Sequence, residues 1–290
     1  MTTPSPVVAR IARDVVAISG TDAAEYLHGQ LSQDVARLGT DDCAWSFVLS
    51  PQGKVDGWGR VQRLSETSFA IDVDPGAGTI WEARLRRFLL RTRADIAITE
   101  RVPSIAIRGA TVPGGLACGW PGTVGSDLLG VPDDIEDRLR ATLGTVTWVT
   151  DEALECRRIR AGVPRWGTEL DHDTIPASTG QWVVDASVSF TKGCYTGQEL
   201  VARIDSRGAQ APRMLAGFDV DGPAPAPGTE VAVGDHAAGP VTSAAGVTGV
   251  AASVALAYVP RSIELVDGAP ATVGGVPARL RTLPMSGTCG

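Results

Sequence analysis

The stretch FTKGCYTGQELVAR, Phe190 to Arg203, packs a lysine, two glycines, a cysteine, a tyrosine, a glutamine and a glutamate into the eight positions Lys192–Glu199. Core packing alone does not call for that mixture. Gly193 and Gly197 permit close backbone approach or a positive φ. From Gln198 to Ile204 the apolar residues Leu200, Val201 and Ile204 recur at helical spacing with Arg203 turned away, so the stretch reads as a loop entering a helix. Cys194 then precedes a helix N-terminus with Lys192 two residues away, and both effects favour the thiolate. Cys194 is therefore the leading candidate for a reactive group, and Lys192 its activating neighbour. An inert, buried cysteine is the structural alternative.

Working outward, residues 162–186 form a long irregular segment marked by Pro164, Gly167, Pro176 and Gly180, and long connections of this kind often carry function. A helix over Asp151–Ala161 precedes it, with Arg157, Arg158 and Arg160 near the end where cations complement the dipole. At the N-terminal side, Val7–Ser19 reads as a hairpin or a bent strand. Asp22 and Glu25 have capping-box spacing, and Ala23, Leu27, Leu31 and Val35 predict a helix that runs to about Gly39, with His28, Gln30, Gln33 and Asp34 on its other face. Strands are expected at Cys43–Leu49 and Val55–Leu64 around the turn Ser50–Lys54, with Gly57 and Gly59 marking close approach by another backbone or a ligand. Another follows at Ser68–Val73, then a helix over 78–91 whose Arg84, Arg86, Arg87 and Arg91 read as a solvated face.

Short strands at 95–99, 104–107, 116–120 and 124–129, a helix at 133–143 and a strand at 145–149 complete the first two thirds. After Arg213 the runs 214–220, 229–233, 247–259 and 271–283, separated by Pro- and Gly-rich turns, predict a small β-barrel or sandwich, joined through a linker at Gly208–Pro212. Short connections between strands and helices point to an α+β class built on antiparallel sheets, and no glycine-rich phosphate loop stands between a strand and a helix.

A net charge of −7 argues against a dedicated nucleic-acid-binding module. The cysteines at 43, 118, 156, 194 and 289 contain no CxxC pair, which excludes a zinc ribbon or a thioredoxin-like motif. With no apolar run of membrane-spanning length and no signal-peptide core, the expectation is a cytoplasmic protein with reduced thiols.

The run KGCYTGQE, Lys192–Glu199, closely resembles the signature of the YgfZ family, folate-binding proteins related to the aminomethyltransferase of the glycine cleavage system (T-protein). Further elements agree: GTDAAEYLHGQLSQDV at Gly20–Val35, SPQGKV at Ser50–Val55, RIRAGVP at Arg158–Pro164, Ile175-Pro176, Ser189-Phe190 and Arg207-Gly208. The resemblance implies three domains in a ring around a channel for tetrahydrofolate or a one-carbon derivative. An interrupted α+β domain would comprise 1–50 and 145–210, a second inserted α+β domain 51–144, and a C-terminal β-barrel 211–290. By the same resemblance Gln30 and Asp34 become candidates for the pocket wall, and Arg158 for gripping the folate's benzoyl-glutamate end through two parallel bonds. Tyr195, Gln198 and Glu199 join them as folate-binding candidates, and no metal site is expected.

Two departures from the transferase pattern stand out. The position of its catalytic aspartate falls on or near Thr79, and GWPGTVG at Gly119–Gly125 lacks the glutamate that recognises the pterin, leaving Asp127 or Glu199 to read it. The resemblance therefore implies a monomeric accessory protein that supports iron-sulfur cluster assembly or repair in client enzymes, including those that thiolate tRNA, without stable nucleic-acid or membrane binding. A folate-dependent one-carbon transferase or demethylase is the alternative. A single thiolate is too few ligands for a resident cluster, which takes about four.

Overall fold

A computed structural model describes residues 5–207 and 211–289. The axis of its first sheet is β1 (Val7–Ser19), a single thirteen-residue strand where a hairpin or a bent strand was expected. The bend survives as a register irregularity between Arg13 and Val15 in the ladder to β5 (Asp95–Arg108). The strands expected at 95–99 and 104–107 are therefore one, held along the length of β1. On the other side β1 pairs with β4 (Ser68–Val73), and β3 (Val55–Arg63) and β2 (Cys43–Leu49) continue outward. Beyond β5 lie β7 (Gly125–Leu129) and β6 (Leu116–Ala117), all antiparallel, while β8 (Thr147–Trp148) makes a short parallel pairing with the start of β1. The boundary drawn at residues 50/51 thus falls within the β2–β3 hairpin of a continuous sheet.

Helices α1 (Ala23–Gln30) and α2 (Gly78–Arg86) pack on this sheet through Val16, Ile18, Leu27, Phe69, Ile71, Trp81 and Leu85. The first ends far short of Gly39: Leu31 turns to extended backbone and bridges to Val48. Asp22 makes no capping box. Its carboxylate instead binds Arg93 at 2.9 Å, tying the helix start to the segment before β5. Gly57 is explained by packing, since a Cβ there would lie 2.3 Å from the indole nitrogen of Trp81. Gly59 similarly makes room for Val73. Arg84 is not solvated: it is buried and donates to Asp56, Gln30 and the Leu49 carbonyl.

After α3 (Ile135–Leu143) comes α4 (Asp151–Ala161), capped by the Thr150 hydroxyl, which accepts from Ala153 N, and closed by Gly162 at φ 69°. The irregular segment carries a 3-10 turn, Pro176–Thr179, then α5 (Gln181–Ser187), and the motif leads into α6 (Gln198–Arg207). The side chain of Ile204 and, within the expected linker, Gly208–Gln210 lie outside the described residues.

The second sheet is the expected C-terminal β unit. Its strands β9 (Arg213–Val220), β10 (Val231–Val233), β11 (His236–Ala237), β12 (Val241–Gly246), β13 (Ser253–Pro260), β14 (Pro270–Val273) and β15 (Val276–Arg281) run in the order β11-β10-β14-β15-β9-β13-β12. They close on Phe218, Val231, Val241, Ala257 and Leu280. Among the described residues no helix is long and apolar enough to cross a membrane.

Two contacts stand out among those that fasten this unit to the rest. Glu169, with its side chain fully buried, accepts from Arg158 (3.1 Å), Ser243 (2.6 Å), Thr242 (2.7 Å) and Thr168 (2.8 Å). The second contact corrects the expectation of reduced thiols: Cys156 on α4 and Cys289 are joined in a disulfide spanning 133 residues. The C-terminal segment folds back over α4, with Met285 N donating to Arg160 O, and so brings the two cysteines into one buried cluster.

Burial opposes ionisation of Glu169, but Arg158 and the three hydroxyls outweigh it and hold the carboxyl below its ordinary 4.5. Its stabilising effect is therefore complete above about pH 4.5 and is lost as pH falls through the lower folded value. Acid titration followed by tryptophan fluorescence should show this loss, and Glu169→Gln should flatten it. Peptide mapping without reductant should recover Cys156 linked to Cys289, and Cys289→Ser should lower stability by about 2–4 kcal/mol.

Candidate functional site

The motif loop is clamped between the end of α1 and the β2–β3 turn. Gly197, at φ 81°, sits so close to Ser50 that a Cβ would meet its carbonyl oxygen at 2.4 Å. Gly53, in the facing turn, leaves room for Leu200 and Gly197. The two glycines interlock the SPQGK turn with the motif. Lys192 fastens the other side: its Nζ donates to the carbonyls of His28 (2.5 Å), Leu31 (2.6 Å) and Gln33 (3.0 Å), the acceptors left where α1 ends. Burial pushes this amine down to about 8, against the pull of Asp34. Tyr195 lies 5.0 Å from the ammonium, and its own hydroxyl is pushed up to about 12 by burial.

The remaining candidates divide. Gln198 Oε1 accepts from Tyr195 N, Gln30 is held by Arg84, and Asp34 pairs with Arg37 at 3.2 Å and faces His28 Nδ1 at 3.5 Å. Cys194 and Glu199 are exposed. Seven of the eight candidates therefore belong to the motif and the end of α1. Only Arg158 lines the cavity described next.

That cavity, about 810 Å³, lies between the first sheet, α4 and β12. Its volume falls within the range of pockets that enclose small organic ligands. Trp45 and Trp58 stack in its wall with ring centroids 3.9 Å apart, pinned by bonds from Trp58 Nε1 to Ser187 Oγ (2.8 Å) and from Trp45 Nε1 to Cys118 O (3.3 Å). Trp120 lies against Arg108 at 4.0 Å. The motif supports this wall from behind, because Val201 and Tyr195 belong to the same apolar cluster as the tryptophan pair.

Alternating charges run across the sheet beside the tryptophans. Asp74 accepts from Arg13 (2.5 Å), Arg13 also donates to Asp72 (2.5 Å), Asp72 accepts from Arg60, Arg60 pairs with Asp127 (2.8 Å), and Asp127 accepts from Arg108 (2.6 Å). Burial disfavours charge on Asp72, but Arg13 and Arg60 outweigh it and hold its carboxyl low. Asp74, Arg13, Arg60, Asp127 and Arg108 all line the cavity.

Arg158 is engaged on its own side. Glu155 takes Nε and Nη2 as a fork (2.9 and 2.7 Å), and Val163 O and Glu169 take Nη1. Of the two groups left open as pterin readers, Asp127 lines the cavity and Glu199 does not. Thr79 is exposed on α2, outside the cavity. The wall residues Trp45, Trp58, Arg13, Arg60 and Arg108 were missed as a site. Their signal was charge in apolar strands, as in VDGWGRV and SIAIR, which marks buried partners without saying which.

A planar group can stack on such tryptophans, and the arginines and aspartates offer it both donors and acceptors. The volume, the aromatic wall and a buried Arg108 Nε with no partner fit a folate-sized molecule.

The architecture is an aminomethyltransferase-like fold. The glycine cleavage system aminomethyltransferase T from Bartonella henselae shares the fold with a TM-score of 0.74 over 97% of this chain and 87% of that one, at 19% identity. In sequence the chain is similar to proteins of the YgfZ family. It is 26% identical over 254 residues to the tRNA-modifying protein YgfZ of Aliivibrio fischeri, covering 77% of this chain and 74% of the relative. An uncharacterised protein of Haemophilus influenzae is 29% identical over 69% of each chain. A mitochondrial iron-sulfur cluster assembly factor IBA57 homolog of Chaetomium globosum is 24% identical over 73% of this chain and 56% of its own. No family model matches.

Lys192→Met should leave three partly buried carbonyls without this donor and cost about 1–3 kcal/mol in chemical denaturation. Cys194→Ser, at an exposed position, should stay within about 0.5 kcal/mol of the parent.

Proposed function

We propose that this protein binds tetrahydrofolate or a one-carbon derivative in the tryptophan-lined cavity and supports iron-sulfur cluster assembly or repair in client enzymes, tRNA-thiolating enzymes among them. The observation that carries the reading is the cavity itself, about 810 Å³ beside the Trp45–Trp58 stack, on an aminomethyltransferase-like fold. The client assignment draws support from relatives named for tRNA modification and for iron-sulfur cluster assembly.

In this reading the two conspicuous features do different work. The cavity holds the folate, and the exposed Cys194 on its clamped loop meets the client as the reactive thiol. Lys192 serves the thiol by fixing the loop's path. Asp34, Gln30, Tyr195 and Gln198 hold the loop and the end of α1, and Arg158 and Glu155 shape the far wall. The accessory role is favoured over one-carbon transfer because Thr79, where the transferase aspartate would fall, is exposed on α2 outside the cavity. The protein acts as a cytoplasmic monomer in this account.

Titration with tetrahydrofolate, 5-formyl- and 5,10-methylenetetrahydrofolate, followed by tryptophan fluorescence, tests the reading. Saturable quenching is expected, with affinity falling roughly 10-fold in Trp45→Leu as a stacking surface is lost. Absence of binding by all three would overturn it, and turnover of a methylamine-type donor would favour the transferase instead.

A further inference from the structure

Arg108 ends the row of alternating charges with part of its donor capacity unused. The residue is 5% exposed and lines the cavity. Its Nη1 is fully engaged, donating to Ile107 O (2.9 Å) and Asp127 Oδ1 (2.6 Å). Its Nε is buried and has no acceptor, and Nη2 makes no hydrogen bond among the described residues. The side-on edge of the guanidinium is therefore free, the edge that in Arg158 is taken by Glu155. A buried donor without an acceptor is costly, and a ligand oxygen would remove that cost.

The surroundings state what kind of oxygen. Arg13, Arg60 and Arg108 are balanced by Asp72, Asp74 and Asp127, so the row carries no surplus positive charge to hold a carboxylate. The Arg108 guanidinium carbon lies over the Trp120 ring at 4.0 Å, and that of Arg60 over the Trp45 ring at 5.4 Å. Such a wall suits a planar, uncharged ring with an acceptor on its rim, as arginine reads the keto edge of guanine.

We propose that Arg108 reads the 4-keto oxygen of the folate's pterin ring, and so makes the cavity selective for 4-oxo over 4-amino heterocycles. This rests on the folate reading above and deepens it by naming the residue that selects the ring. Arg158 then serves the architecture of α4 and the Glu169 junction in place of the carboxylate grip that the family resemblance implied.

The test compares 5-formyltetrahydrofolate with its 4-amino-4-deoxy analogue, in which a donor amine replaces the acceptor oxygen. Affinities are measured by calorimetry on the full chain and on Arg108→Lys and Arg108→Met, with thermal unfolding as the check on folding. The parent protein should prefer the 4-oxo compound by about 10- to 100-fold, the range set by one charge-assisted bond. Both variants should narrow that ratio by about 10-fold or more, chiefly through weaker binding of the 4-oxo compound. A merely structural role would lower both affinities together and leave the ratio alone. An unchanged ratio in a folded variant, or a parent that does not discriminate, would overturn the assignment while the folate reading stands. Failure of the parent to bind either compound would overturn the assignment, and the folate reading with it if tetrahydrofolate and 5,10-methylenetetrahydrofolate also fail to bind.

Discussion

The row Asp74–Arg13–Asp72–Arg60–Asp127–Arg108 is the constraint around which the first sheet and its cavity are arranged. Its members come from β1, β3, β4, β5 and β7 and the residue just past β4, so it forms only when those strands stand in one register. Each charge would be expensive alone in the interior, and each is tolerable because its neighbour has the opposite sign. Breaking one link strands the next, which makes the row a specification of register more than a source of stability.

The tryptophans depend on the same arrangement. Trp45 and Trp58 belong to the paired strands β2 and β3, and their wall is backed by α5 through Ser187 and by the motif through Tyr195 and Val201. Motif and cavity are thus coupled by packing, although the exposed cysteine and the cavity lining are separate features of the molecule. Glu169 and the Cys156–Cys289 bond then secure the second sheet to α4, whose Glu155 and Arg158 form the opposite wall.

Much of the fold was legible in the sequence because it rests on local signals. The α4 helix has its Thr150 cap and Gly162 terminator, the second sheet its turn residues, and the motif its loop-to-helix spacing. What was misread had a long-range cause. Leu31 leaves the helix to bridge Val48, Asp22 is drawn to Arg93, Arg84 turns inward to Asp56 and Gln30, and Cys156 meets Cys289 across 133 residues. Periodicity cannot foresee a partner that lies tens of residues away.

By itself, then, the sequence determined the α+β class, the β-rich C-terminal unit and the special character of Lys192–Glu199, all of which follow from spacing and residue type along the chain. Only the tertiary structure decided which charges face one another, that Lys192 closes the end of α1, that Arg158 is engaged and Arg108 has a free edge, and that the cavity is walled by tryptophans from separate strands. The physical reason is that burial and pairing belong to the assembled sheet, where residues remote in sequence set each other's solvation and charge.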